Sequence, residues 1–232
     1  MKNVLYAATR NLYQDVVVSI KSLLHHTKVD NVFLMIEDNQ FMYDLPDFVK
    51  TINVSHQKYF PDKCPNLGNR CTYMVLLRAV LSDYIDVDTL LSIDYDTIVY
   101  QDISPLFDTD ISDYYFAAVR ETEKDWWAVP EYYNFGVAYM NLRKMDEIKN
   151  PAVSLLNSCY FQCAEQDAMN ILCRGHILEI PSKYNSNRYT AKCRPEDIAI
   201  IHYPGPDKRG FHNSQIYADY LRMPWSEVLN HA

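Results

Sequence analysis

Glycine is scarce in this chain, with five in 232 residues and none before Gly68. Loops that cradle the phosphates of a dinucleotide or of ATP need glycine directly after their strand, so that backbone can approach the ligand. Here the first apolar run, residues 4–8, is followed by Thr9-Arg10-Asn11-Leu12-Tyr13. That counts against NAD-dependent dehydrogenases, P-loop kinases and nucleotidyltransferases with a glycine-rich first loop. Positive charge is short as well: 22 Lys and Arg stand against 30 Asp and Glu, a net charge of −8. No sequence-wide basic field exists to neutralise phosphates, so nucleic acid is not an expected partner. A phosphate-bearing ligand must instead meet a local cation or a bound metal. No apolar run approaches the ~20 residues that span a bilayer, so no transmembrane segment is expected. The run at residues 4–8 is too brief for a signal-peptide core and reads as a first β-strand. The six cysteines form no CxxC pair and no zinc-finger spacing. Reduced thiols and a cytoplasmic location are the expectation.

What the chain does have is core material. With 48% hydrophobic and 22% charged residues, it is expected to fold as one globular domain over residues 1–232. Apolar runs at 3–8, 32–36, 89–93, 115–119, 137–141, 177–180 and 198–201 read as strands, with a weaker one at 51–54. Between the first two, Val16, Val17, Ile20, Leu23 and Leu24 share one helical face, and His25-His26 end that helix favourably against its dipole. Met74, Leu77 and Leu81 recur at helical spacing within 70–82, and a further helix is expected over 165–172. This alternation predicts an α/β fold, a mostly parallel central sheet covered by helices on both faces. Ligands of such sheets sit at the carboxyl ends of strands.

Asp-x-Asp occurs three times, as Asp86/Asp88, Asp94/Asp96 and Asp108/Asp110. Only Asp94-Tyr95-Asp96 leaves an apolar strand directly, after Leu90-Leu91-Ser92-Ile93. Period-2 geometry would send both carboxylates one way and Tyr95 the other. The other two pairs lie in polar connections, where aspartate is ordinary turn chemistry. A second constellation, His202-Tyr203-Pro204-Gly205-Pro206-Asp207-Lys208, also follows an apolar strand. A histidine there can ligate a metal, Gly205 allows close backbone approach, and Lys208 can reach a phosphate. A proline-braced turn with an exposed lysine would look the same. Together the two motifs are more telling. A diphosphate beside two carboxylates suffers about 3 kcal/mol of repulsion per pair at ~5 Å and an effective dielectric of ~20. A divalent cation reverses that sign, and an imidazole in the set favours Mn2+ over Mg2+.

The segment Leu91-Ser92-Ile93-Asp94-Tyr95-Asp96-Thr97-Ile98-Val99, with Asp102-Ile103 and Pro105-Leu106-Phe107 after it, resembles glycosyltransferase family 8. Four more blocks match in order: Tyr6-Ala7-Ala8-Thr9 with Asn11 and Tyr13; Tyr133-Asn134-Phe135-Gly136-Val137 with Asn141-Leu142; Glu165-Gln166-Asp167 with Asn170; and His202-Tyr203 with Gly205 and Lys208. The resemblance runs over residues 4–208. It implies a GT-A type single domain that moves a hexose from a UDP-sugar to a hydroxyl acceptor with retention of configuration. It implies Asp94, Asp96 and His202 as metal ligands, with Asp94-Tyr95-Asp96 against the ribose and diphosphate. Ala7, Thr9 and Tyr13 would flank the uracil, and Gly205 and Lys208 would hold the diphosphate. Asn134, Gln166 and Glu165 would lie at the sugar and the reacting centre. Arg78, or Arg70 in its place, would be the basic residue near the phosphates.

Three departures stand out. Glu165 replaces the usual aspartate, Arg120-Glu121 occupies a region that often carries an acidic sugar contact, and Lys208 is followed by Arg209-Gly210 instead of proline–tryptophan. Trp126-Trp127 fits an acceptor-stacking plate and a core pair equally. Two rival classes stay open: a different nucleotide-diphosphate enzyme, such as a nucleotidyltransferase or pyrophosphohydrolase, and a non-catalytic sugar-nucleotide binding module.

Overall fold

A computed structural model describes residues 1–68, 72–122 and 129–230. Its strands are β1 (Asn3–Ala7), β2 (Asn31–Ile36), β3 (Val49–Asn53), β4 (Thr89–Ile93), β5 (Thr97–Val99), β6 (Phe116–Arg120), β7 (Tyr133–Asn141), β8 (Ile177–Glu179) and β9 (Ile200–His202). Its helices are α1 (Tyr13–His26), α2 (Tyr73–Leu76), α3 (Ser104–Phe107), α4 (Leu142–Ser158), α5 (Ala164–Leu172), α6 (Arg209–His212), α7 (Gln215–Arg222) and α8 (Trp225–Asn230).

Seven strands form one sheet in the order β3-β2-β1-β4-β7-β6-β8. Every neighbouring pair is parallel except the two made by β7, which runs antiparallel to both β4 and β6. Alternation along each strand divides the core between two faces. Val4, Tyr6 and Leu91 pack on one side with Val16, Ile20 and Leu23 of α1. Leu5, Leu90 and Met140 pack on the other with Met145 and Ile148 of α4 and Met169 of α5. The expected doubly covered α/β sheet is what forms. β5 and β9 pair antiparallel in a separate two-stranded sheet, packed through Ile98 on Val18 of α1 and on Phe211, Tyr217 and Tyr220 near the end of the chain. Among the described residues, no helix is long and apolar enough to cross a membrane.

Two elements differ from the periodicity reading. The helix expected over 70–82 starts at a cap, where the Thr72 hydroxyl accepts from the Met74 N–H at 3.3 Å. It then narrows to a 3-10 segment, Leu77–Asp83, broken at Val80 (φ −132°, ψ 27°). Arg78 is thereby left buried at 6% exposure. The longest helix, α4, was hidden by Pro151, which removes a ladder hydrogen bond. It forms because Asn141 caps it and because Leu142, Met145, Ile148, Ala152 and Leu156 recur every three or four residues on the buried face.

Candidate active site

β4 ends at Ile93, and the backbone turns through Tyr95 and Asp96 into β5. The two aspartates therefore share a turn, and the period-2 extension expected for them is absent. Strand pairing supplies the third member: Thr97 of β5 stands opposite His202 of β9, and the Tyr203 N–H donates to the Asp96 carbonyl at 3.0 Å. One ligand atom from each of Asp94, Asp96 and His202 lies within 4.8 Å of the others. His202 Nε2 is 3.6 Å from Asp94 Oδ2 and 3.4 Å from Asp96 Oδ1.

The other ring nitrogen decides what this cluster wants. His202 Nδ1 lies 3.0 Å from Asn185 Oδ1, and the Asn185 amide NH2 donates to Asn134 Oδ1 at 2.8 Å. That fixes the Asn185 oxygen toward the ring, so Nδ1 carries the proton and Nε2 presents a lone pair. Three acceptors then converge, and Asp96 Oδ1 is fully buried with no hydrogen-bond partner. Leaving a buried carboxylate oxygen unpaired is costly, and a cation among the three removes the cost. The donor set, two carboxylates and one imidazole, fits a divalent ion.

Cations already crowd the rim. Lys208 Nζ pairs with Asp96 Oδ2 and donates to the Tyr203 carbonyl at 2.7 Å, lying 5.4 Å from the centre of the Tyr95 ring. Burial pushes the Asp96 carboxyl up, and the ammonium of Lys208 opposes it. Arg78 Nη1 donates to Asp94 Oδ1 at 2.8 Å and to the Phe135 carbonyl at 2.9 Å, while Nη2 pairs with Glu165. Glu165 is 3% exposed; burial raises its carboxyl and Arg78 opposes that. Its carboxylate is engaged by the guanidinium and not turned outward to a sugar.

Beyond the Asp94–Asp96–His202 cluster lies a polar floor. Glu121, itself 3% exposed, accepts from the Asn134 amide at 2.7 Å and the Gln166 amide at 3.3 Å. Gln166 Oε1 accepts from the Phe135 N–H at 2.8 Å, and its amide also donates to the Tyr132 hydroxyl at 3.0 Å. Tyr132 in turn donates to Asp167, which also accepts from the Cys163 N–H at 2.9 Å. Asn170 clamps both backbone groups of Tyr133, at 2.7 and 2.9 Å. The block around Glu165-Gln166-Asp167 thus braces β7 and is tied through Gln166 to Glu121. α5 enters through Ala164 at φ +45°, a conformation a side chain adopts at a cost of about 1–2 kcal/mol. Glu121 stood out only as part of Arg120-Glu121, and Asn185 carried no sequence signal, because its contacts with Asn134 and His202 join distant parts of the chain.

The first loop lies at the carboxyl end of β1. Thr9 Oγ1 donates to Asn11 Oδ1 at 2.6 Å, and Ala7 is half-buried. Tyr13 has no exposed surface: its ring lies 4.6 Å from that of Phe41, and its hydroxyl accepts from the Glu37 N–H at 3.3 Å. It shapes the loop from beneath and offers no face for a base to stack on. Gly205 takes φ +96°, a left-handed conformation natural to glycine. Asp86, Asp88, Asp108 and Asp110 are exposed; Asp88 pairs with Arg143, and Asp110 accepts from the Ser112 N–H at 2.9 Å. They are turn and surface residues, as their setting implied. Arg70 and Trp126-Trp127 lie outside the described residues.

A family model described as glycosyl transferase family 8 matches residues 3–209. The chain is 24% identical over 247 residues to the glycosyltransferase GlyA of Streptococcus pneumoniae serotype 4, covering 98% of this chain and 36% of that protein. It is 28% identical over 273 residues to the lipopolysaccharide 1,2-glucosyltransferase of Escherichia coli K12, covering 97% of this chain and 79% of that one. Relative to GlyA, then, the chain spans about a third of the length. Among solved structures, galactosyltransferase LgtC in complex with donor and acceptor sugar analogs superposes with a TM-score of 0.69 at 20% identity, covering 98% of this chain and all of that one.

Proposed function

Because the chain belongs to glycosyl transferase family 8, we propose that it moves a hexose from a UDP-sugar to a hydroxyl acceptor, assisted by Mn2+, with Mg2+ the weaker alternative. The observation that carries this reading is the convergence of Asp94, Asp96 and His202 around a buried, unpartnered Asp96 oxygen. These three residues would hold the ion, which when bound supplies a Lewis acid for the leaving diphosphate. The similarity to proteins named as glucosyltransferase and galactosyltransferase supports a hexose donor. Resemblance to the family supports retention of configuration.

The chain's own residues divide the remaining work. Ala7 and Thr9 border the base, with Asn11 held by Thr9. Gly205 and Lys208 take the diphosphate. Lys208 leaves Asp96 for the phosphates and adds positive charge as the glycosidic bond breaks. Asn134, Gln166 and Glu121 form one hydrogen-bonded group that orients the sugar. Glu165 holds Arg78, and Arg78 holds Asp94 in position. With its carboxylate committed in this way, Glu165 is poorly placed to attack an anomeric carbon, which favours attack guided by the leaving phosphate. We read residues 1–232 as one glycosyltransferase unit. Its five described cysteines are unpaired, which suits the cytoplasm.

The test is a panel of UDP-sugars incubated with the chain and no acceptor. Slow hydrolysis of one UDP-hexose is expected with Mn2+ and none with EDTA. Equal hydrolysis in EDTA, or no binding of any UDP-sugar, would defeat the reading.

A further inference from the structure

Residues 185–190 run beside the histidine strand. Ser186 forms a parallel bridge with Ile201; its N–H donates to the Ile200 carbonyl at 2.9 Å, and its carbonyl accepts from the His202 N–H at 3.0 Å. Both ends of the segment are tied to the site. Asn185 meets His202 Nδ1 at 3.0 Å, and Thr190 forms an antiparallel bridge with Glu121. A parallel alignment that sets residue 186 against 201 carries residue 188 toward 203–205. Arg188 lies there: a Cβ built on Gly205 would stand 2.7 Å from Arg188 Nη2. The guanidinium also lies 4.7 Å from the centre of the Tyr189 ring, a contact that limits its freedom.

Charge distinguishes this arginine from its neighbours. Arg78 is held by Asp94 and Glu165, Lys208 by Asp96, and Arg209 by Asp207. Arg188 is exposed and makes no ion pair among the described residues. Its field reaches Asp207, whose carboxyl is held well below the usual range by Arg209 first and by Arg188 least. A bracing role for the 204–207 turn would use the volume of the side chain and leave its charge idle.

We propose that Arg188 is a phosphate-binding residue of the donor site, donating from its guanidinium to the diphosphate of the nucleotide sugar beside Gly205. The inference rests on the reading of this site as one for a UDP-sugar. A planar five-donor fork suits phosphate oxygens better than a point charge does, and it adds to Lys208 without duplicating it. Fixed on a segment pinned at both ends, the guanidinium is in place before charge develops on the leaving group.

The experiment compares wild type, Arg188→Gln and Arg188→Lys for binding of UDP and of uridine at saturating Mn2+, by calorimetry and NMR titration, with melting temperatures recorded for each. Arg188→Gln is expected to weaken UDP about 10- to 100-fold, the loss of a charge-assisted contact. Uridine should stay within about twofold, since it offers the residue nothing to hold. Arg188→Lys should recover part of the UDP affinity. Equal weakening of both ligands would mark Arg188 as a brace and overturn the proposal. Unchanged UDP affinity would overturn it too while leaving the UDP-sugar reading intact. A wild-type chain that does not prefer UDP to uridine would bring down both.

Discussion

Gly136 and His202 fit together only because Gly136 has no side chain. A Cβ there would stand 2.7 Å from His202 Nδ1 and 2.9 Å from Asp94 Oδ2, inside van der Waals contact with two members of the candidate metal cluster. Nothing nearby can yield cheaply, because the ring is fixed by Asn185 and the backbone by β7 pairing with β4. Gly136→Ala is therefore expected to lower Mn2+ affinity by about tenfold or more, through an overpacking cost of about 1–3 kcal/mol. Gly210→Ala is the control: its Cβ would meet Tyr203 at an ordinary 3.7 Å. Mn2+ titration by electron paramagnetic resonance reads both, and equal affinities would show that the cluster is not where the ion binds.

The aspartate pairs separate in calorimetric titration of UDP at saturating Mn2+. Asp96→Ala should weaken UDP binding in Mn2+ by 1–3 kcal/mol, about 5- to 150-fold, as for a lost charge-assisted contact. Asp88→Ala and Asp110→Ala should change it by less than about twofold, being exposed surface substitutions. Similar losses from all three would remove the case for Asp94 and Asp96.

What was legible in the sequence was whatever is local. Strands with their own apolar runs, such as 3–8 and 89–93, could be located, and so could the acidic pair that leaves one of them. What was not legible depends on contacts across the chain. Pro151 masked α4 because a single missing donor reads as a helix end, although the buried stripe continues past it. Asn134 and Gly136 hid the first half of β7, since both are poor strand formers on their own. Tyr13 stood in the right block, but only packing against Phe41 reveals that its ring is spent inside. Glu121 and Asn185 matter through Gln166 and His202, partners that no short window contains.

Glu121 and Gln166 offer a test that separates sugar from nucleotide. Their hydrogen bonds join Asn134 and the β7 backbone, away from the first loop. Gln166→Ala and Glu121→Gln should each lower kcat for UDP-sugar turnover by about 10-fold or more, as for interactions strengthened in the transition state. UDP affinity should remain within about threefold, because neither group is placed at the nucleotide. A variant that lost UDP affinity but kept its rate would put this group at the wrong end of the donor.

Stability should carry an acid-side signature from His26. Burial first, and the neighbouring His25 second, lower its pKa below the ordinary value of 6.5. Its Nε2 lies 3.1 Å from the Tyr220 hydroxyl, joining α1 to α7. The native state thus takes up this proton less readily than the unfolded chain does. The stabilisation is fully present above about pH 6.5 and is lost as pH falls through the lower native value. His26→Gln, which keeps an acceptor for Tyr220, should show a smaller fall in melting temperature between pH 7.5 and pH 5.5. Parallel profiles for the two proteins would place the acid sensitivity elsewhere.

Lys208 should affect the metal and the nucleotide in opposite directions. In the free chain its ammonium is paired with Asp96 Oδ2, on the same carboxylate whose Oδ1 faces His202. It therefore competes with a cation for the Asp96 charge whenever no phosphate is present to draw it away. Its backbone is linked to that site by the 203–207 turn, with Gly205 at φ +96° as the point of greatest freedom and Pro204 and Pro206 limiting the path. Lys208→Ala should consequently bind Mn2+ alone at least as tightly as wild type, since the competing ammonium is gone. The same variant should bind UDP about 10- to 100-fold more weakly in saturating Mn2+, for want of a charge-assisted contact to the diphosphate. Substituting any ordinary structural residue would move both affinities downward. Electron paramagnetic resonance for the ion and calorimetry for UDP give the two signs independently. A Lys208→Ala chain that loses Mn2+ affinity in the absence of nucleotide would show that the lysine supports the metal site instead of competing with it.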